Sequence, residues 1–251
     1  MRLEGKIAIV TGGSQGIGEA IATRYAAEGA KVAIFNRTVS KAERVVDGIV
    51  DAGGQAAAFA CDIGNPEAIQ QACGKTISHF GIPDILVNNA GAYLLTPLGE
   101  TNTDAIDQML NVNIRGPFLL MQALMPHFEK KGGGKVINIG SIFGNTGFPG
   151  SSIYCATKAA VNLLTKTLGL ELRGKNIQVN SIAPGWIETP LNEDYRKTDK
   201  EFMQRASDRF GGGNPWMKPD ELSGAAVFLA SSDADSMTGT TTFVDRGWSA
   251  Y

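Results

Sequence analysis

Ile7-Ala8-Ile9-Val10-Thr11-Gly12-Gly13-Ser14-Gln15-Gly16-Ile17-Gly18 decides how the rest of the chain is read. Four apolar residues in succession, with no polar alternation, read as a strand buried on both faces. The glycines then mark a tight turn. A helical spacing follows through Ile17, Ala20, Ile21, Arg24, Tyr25 and Ala27 until Gly29 stops it. Such a turn lets the backbone approach a ligand closely, and it sets that ligand against the free N–H groups and positive dipole end of a helix. This suits a pyrophosphate. The spacing G-x-x-x-G-x-G departs from the G-x-G-x-x-G dinucleotide fingerprint, and a glycine turn alone also fits a plain strand–helix connection.

Outward from this unit the same alternation repeats. Strands are expected at 31–35, 55–61, 84–88, 135–139, 177–182 and 240–244. Helices are expected at 42–52, from Asn65-Pro66-Glu67 onward, at 104–128 with a kink at Pro117, and at 152–172 and 222–230. Strands alternating with helices from end to end imply an α/β fold, a doubly wound, mostly parallel sheet with helices on both faces, formed as one domain over 1–251. The exception is the stretch 186–219, with Gly211-Gly212-Gly213, Pro215 and Pro219 around a charged segment, 191–209, that has some helical character. Long loops in compact domains are usually functional, so this one is expected to be a substrate lid.

Composition narrows the function. The 251 residues are 43% hydrophobic with a net charge of −2, which suits a globular core and argues against a non-specific nucleic-acid binder. No apolar run approaches the roughly 18 residues of a membrane span, and Met1 to Lys6 lacks signal-peptide architecture. Three cysteines, Cys61, Cys73 and Cys155, are an odd number without a C-x-x-C pair, so a reducing, cytoplasmic setting is expected. His79 and His127 lie in unrelated patterns, and no metal site is expected. There is no G-x-S-x-G elbow for a serine hydrolase.

Tyr154 and Lys158 stand four residues apart on an expected helix, and so on one face. A phenol near pKa 10 is a poor base at neutral pH. An ammonium about 4 Å away supplies roughly 4 kcal/mol at an effective dielectric near 20, enough to bring such a pKa down by about three. Taken alone, the pair also fits a packing tyrosine beside a surface lysine. Ser141, at the C-terminal end of the 135–139 strand where α/β ligands bind, favours the chemical reading.

Six motifs occur in order: Thr11-Gly12-x-x-x-Gly16-x-Gly18, Asn88-Asn89-Ala90-Gly91, Asn111-Val112-Asn113, Gly140-Ser141, Tyr154-x-x-x-Lys158 and Pro184-Gly185. On these the chain resembles the short-chain dehydrogenases/reductases over essentially its whole length. The resemblance implies a seven-stranded Rossmann-like subunit, often a homotetramer, that moves a hydride between a nicotinamide cofactor and a small-molecule carbonyl or alcohol. It implies Tyr154 as the proton donor or acceptor, Ser141 on the substrate oxygen, Lys158 on the ribose, and Asn113 holding a water that relays protons to Lys158. A helix-kink role for Asn113 stays open. It further implies Gly12, Ser14, Gln15, Gly16, Ile17 and Gly18 at the pyrophosphate and ribose, Asp62 and Ile63 at adenine, and Asn89, Ala90 and Gly91 at the adenosine ribose. Ile187 and Thr189 fall at the nicotinamide carboxamide, and Pro184 and Gly185 are also expected to bind the cofactor.

The cofactor is expected to be NADP(H), with NAD(H) as the alternative. Asn36 takes the place where an acid would bind the ribose of NAD, and the Arg37 guanidinium suits a 2′-phosphate. Gln15 stands where a second basic residue is often found. Tyr93, Leu94, Ile142, Phe143, Phe148, Trp186 and Trp216 are expected to wall the substrate pocket. The nearest branches are 3-oxoacyl-carrier-protein reductases, for which Lys130, Lys131, Arg173 and Lys175 would form a docking patch, and sugar or secondary-alcohol dehydrogenases. A non-catalytic NAD(P)-sensing protein is the alternative of another kind, although such a protein would be expected to lose Tyr154 or Lys158. Arg246, where the family often has glycine, is expected at the substrate site or a subunit contact.

Overall fold

The computed structural model describes residues 1–208, 210 and 213–250. Seven strands form one sheet in the order β3-β2-β1-β4-β5-β6-β7, every pair parallel. They are β1 (Ile7–Thr11), β2 (Lys31–Asn36), β3 (Gln55–Ala60), β4 (Ile85–Asn88), β5 (Gly134–Ile139), β6 (Ile177–Pro184) and β7 (Thr241–Val244). β1, β4 and β6 are buried along their whole length; β1 and the start of β4 accordingly read as apolar runs, whereas β6 buries Gln178, Asn180 and Ser181 among its apolar residues.

One face of the sheet packs on α1 (Gly16–Ala27), α2 (Val39–Asp51) and α9 (Ser223–Ala230) through residues such as Ile21, Tyr25, Val45 and Leu229. The other packs on α3 (Pro66–Phe80), α5 (Gly116–Lys131) and α6 (Ser152–Leu172) through Ile69, Leu120, Leu124 and Leu168. A third cluster is almost wholly aromatic: Phe143, Phe148, Trp186, Phe202, Trp216 and Trp248.

The expected helix at 104–128 is three pieces: α4 (Thr103–Leu110), a wide π turn at Asn111–Arg115, and α5. Pro117 starts α5 rather than kinking a longer helix, and Pro126 is the proline inside it. The cause is tertiary. Asn113 donates to the Ala92 carbonyl at 2.9 Å and accepts from the Ala92 N–H at 2.8 Å, so the helix widens where it meets the loop after β4. The stretch after Trp186 contains α7 (Glu193–Thr198) and α8 (Lys200–Asp208), so 191–208 is largely helical; Arg209, Gly211 and Gly212 lie outside the described residues.

Candidate active site

Strand order reverses between β1 and β4, and ligands of open α/β sheets bind in the crevice at such a point, beyond the carboxyl ends of the strands. A cleft of about 520 Å³ opens there. Gly12, Ser14, Gln15, Gly16 and Ile17 form one wall, with Asn36 and Arg37 at its far end. Asp62, Ile63, Asn89, Ala90 and Gly91 face them. Ser141, Tyr154 and Lys158 lie deeper, and Pro184, Gly185, Ile187 and Thr189 close the side.

The glycine turn is held by two of the motif residues, Thr11 and Asn89. The Thr11 hydroxyl accepts the N–H groups of Asn89 at 2.9 Å and Ala90 at 3.0 Å, and the Asn89 side chain donates to the carbonyls of Thr11 and Gly12. Gly12 and Gly16 take φ of +64° and +58°, which L side chains rarely adopt. Gln15, the N-cap of α1, makes no side-chain capping bond, so the first-turn N–H groups are left to a ligand. These donors fit a dinucleotide pyrophosphate. Gly18 does not reach the cleft. A Cβ there would collide with the Gly12 carbonyl and the Asn89 amide, so Gly18 lets the helix pack against the turn.

At the deep end, α6 presents Tyr154 and Lys158 one turn apart, with the Lys158 Nζ 5.6 Å from the Tyr154 ring centroid. Lys158 is buried and donates to the Ile139 carbonyl at 2.7 Å. The Ser141 hydroxyl accepts the Phe143 N–H at 3.1 Å. Burial pushes the Tyr154 phenol above its usual value; the hydrogen bond with Ser141 pulls it down, and Tyr93 and Cys155 push it up. Burial lowers Lys158 to about 8. The four-residue spacing alone predicts a phenol depressed by its lysine. In the folded chain desolvation wins, because both groups sit in protein interior that penalises either charge.

Asn113 is buried beside this centre, off the cleft wall. Its amide bonds Ala92 twice and donates to Thr157 Oγ1 at 3.0 Å, and Thr157 in turn donates to the Tyr154 carbonyl at 2.8 Å. Both amide hydrogens are therefore used in positioning.

Tyr93 and Leu94 line the cleft as expected, but Ile142, Phe143, Phe148, Trp186 and Trp216 do not. They fill the aromatic cluster, with Phe143 stacked on Phe148 at 4.7 Å and Trp186 edge-on to Phe143 at 5.4 Å. Large apolar side chains from five separate segments bury more area against one another than against an open cleft. Arg246 is also elsewhere: it pairs with Glu221 at 2.9 Å, outside the cleft lining. Several cleft residues escaped sequence reading, among them Ala105, Gln108 and Met109 of α4, Cys61 and Asn192. Cys61 has its thiol raised to about 12 by burial, and Asn192 brackets the Ile187 carbonyl and the Thr189 N–H. No motif signalled any of them.

The short chain dehydrogenase family profile matches residues 6–200. The chain belongs to the short-chain dehydrogenases. This short-chain dehydrogenase is 35% identical to a 3-oxoacyl-[acyl-carrier-protein] reductase of Thermotoga maritima, over 98% of this chain and 99% of that one. It is 37% identical to a 3beta-hydroxysteroid dehydrogenase of Eggerthella lenta, over 99% and 95% respectively. A crystal structure of a gluconate 5-dehydrogenase from Burkholderia cenocepacia in complex with NADP and tartrate superposes with a TM-score of 0.94 at 36% identity, covering 100% of this chain and 97% of that one. The protein is thus an oxidoreductase that transfers a hydride between a nicotinamide cofactor and a carbonyl or alcohol, and a non-catalytic sensing role finds no support. No described helix is long and apolar enough to cross a membrane.

Proposed function

We propose that this short-chain dehydrogenase is an NADP(H)-preferring, cytoplasmic reductase of small ketones, or dehydrogenase of the matching secondary alcohols, working as a homotetramer. One observation carries the reading: Ser141, Tyr154 and Lys158 meet at one end of a single cleft whose other end is the uncapped glycine turn. Bound nicotinamide supplies or accepts the hydride. Tyr154 then donates its phenolic proton to the carbonyl oxygen as that oxygen gains negative charge. Burial keeps this phenol protonated in the free enzyme, which is the form carbonyl reduction needs. Ser141 hydrogen-bonds the same oxygen, and Lys158 holds the ribose hydroxyls and lends positive charge. Asn113 fixes the height of Tyr154 through Thr157, and a proton-relaying water beside it is part of the proposal. The segment 186–219 acts as the lid over the substrate.

NADP preference rests on Asn36 and Arg37. Both line the cleft, and the Arg37 guanidinium has no ion-pair or hydrogen-bond partner among the described residues. Relatives at similar identity act on quite different molecules, so the substrate is not named by likeness. A carrier protein is not favoured by the basic patch, because Lys131 pairs with Asp84 and Lys175 with Glu129. The tetramer is supported by apolar side chains left open on the helices flanking Asn113: Leu163 and Leu170 on α6 are 65% and 63% exposed, and Phe118 on α5 is 45% exposed. The test is loss of reduced-nicotinamide absorbance against a panel of ketones, together with dissociation constants for both cofactors. Turnover of no ketone or alcohol in the panel, with either cofactor, would refute the reading. Arg37→Ala is expected to weaken NADPH about 10-fold or more and leave NADH almost unchanged.

A further inference from the structure

Arg37 is a single exposed cation, and Gln15 leaves the glycine turn without one. The fold brings a second guanidinium to this corner from an unrelated place in the sequence. Arg44 lies in the middle of α2, yet its Nη2 donates to the Ser14 carbonyl at 3.3 Å and pairs with Glu19 of α1 at 2.8 Å. Ser14 is itself a cleft residue, and its hydroxyl donates to Asn36 Oδ1 at 3.2 Å. Ser14 and Asn36 therefore share one edge of the cleft, which Arg37 also lines and which Arg44 meets at the Ser14 carbonyl.

We propose that Arg44 is the second cation of the 2′-phosphate subsite and that Glu19 holds it in reserve; this rests on the NADP reading given above. The Arg44 side chain is 65% exposed against 31% for Glu19, so the arginine is the mobile partner of the pair. A ribose 2′-phosphate carries close to two negative charges at neutral pH and several acceptor oxygens, whereas Glu19 carries one. The phosphate outcompetes both Glu19 and the neutral Ser14 carbonyl for the guanidinium. NADH brings no charge to this corner and leaves Arg44 where it is. Arg44 is a specificity-determining residue here, and it has no part in the hydride step.

The experiment is calorimetric titration of NADPH and NADH into the wild type and into Arg44→Gln, Arg44→Lys, Glu19→Gln and the Glu19→Gln/Arg44→Gln double variant. The readout is the ratio of the two dissociation constants, which cancels any change common to both cofactors. Arg44→Gln is expected to cut the NADPH preference about 2- to 5-fold, the range of a partly screened charge pair. Arg44→Lys should retain part of it. Glu19→Gln should raise the preference, and removing Arg44 in that background should abolish the gain. The Arg44 effect should shrink at high salt. If Arg44→Gln weakens both cofactors by one factor, Arg44 only braces the turn and the inference is overturned. A wild type that binds both cofactors equally overturns the NADP reading and this inference with it. A wild type whose NADPH preference survives Arg44→Gln overturns this inference alone.

Discussion

Replacing Gly18 by alanine separates what local rules say from what packing says. Gly18 lies inside α1, and by helix propensity Gly→Ala stabilises by about 1 kcal/mol. Packing acts with the opposite sign. The new methyl would stand 2.9 Å from the Gly12 carbonyl carbon and would press on the Asn89 side-chain amide, which bonds the carbonyls of Thr11 at 2.9 Å and Gly12 at 3.2 Å. Overpacking of this kind costs about 1–3 kcal/mol, and losing the Asn89 bond adds about 1. The net expectation is a loss of about 1–3 kcal/mol, together with weaker cofactor binding because the turn must move. Gly48 of α2 and Gly74 of α3 are internal controls, since an added Cβ at either meets nothing within 4 Å. Gly48→Ala and Gly74→Ala should each stabilise by about 0.5–1 kcal/mol. Urea midpoints for the three variants at one protein concentration decide the matter. A Gly18→Ala midpoint at or above the wild type's would refute the dominance of packing here.

Tyr154→Phe should leave the urea midpoint within a small margin and lower kcat by at least about 100-fold; a variant retaining half the activity would remove Tyr154 from the proton step. Lys158 should give stability a pH signature of its own. With its folded value near 8 against an unfolded value of about 10.4, the unfolded chain holds the proton longer, so raising the pH through this window favours the fold. The penalty for burying the charge is full below about pH 8, amounts to about 3 kcal/mol, and is gone above roughly pH 10.4. The stability of wild type minus Lys158→Met should therefore rise across that window; a flat difference would mean that Lys158 stays charged in the fold. Leu163→Glu combined with Leu170→Glu should shift sedimentation from tetramer to smaller species while leaving the circular-dichroism spectrum unchanged. Unaltered tetramers would place the subunit contact elsewhere.

Much of the protein was legible in its sequence. β1 and β4 announced themselves because a strand buried on both faces has no polar alternation to confuse it. Much of the cleft followed, because ligand contacts made by turns at strand ends depend on short local segments: Gly12 to Ile17, Asn89 to Gly91, Tyr154 with Lys158; the wall that α4 adds through Ala105, Gln108 and Met109 did not. What the sequence could not decide involves partners distant along the chain. The π turn at Asn111–Arg115 needs Ala92, the packing role of Gly18 needs Asn89, and Arg44 reaches Ser14 only because α1 and α2 lie side by side. The sequence points Trp186 and Trp216 to the pocket wall, and their contacts with Phe202 and with each other place them in the core instead. Tyr154 makes the same point for electrostatics. Sequence fixes the charge of its neighbour at four residues' spacing, but only the fold fixes how much water is lost, and for this phenol the lost water outweighs the neighbour.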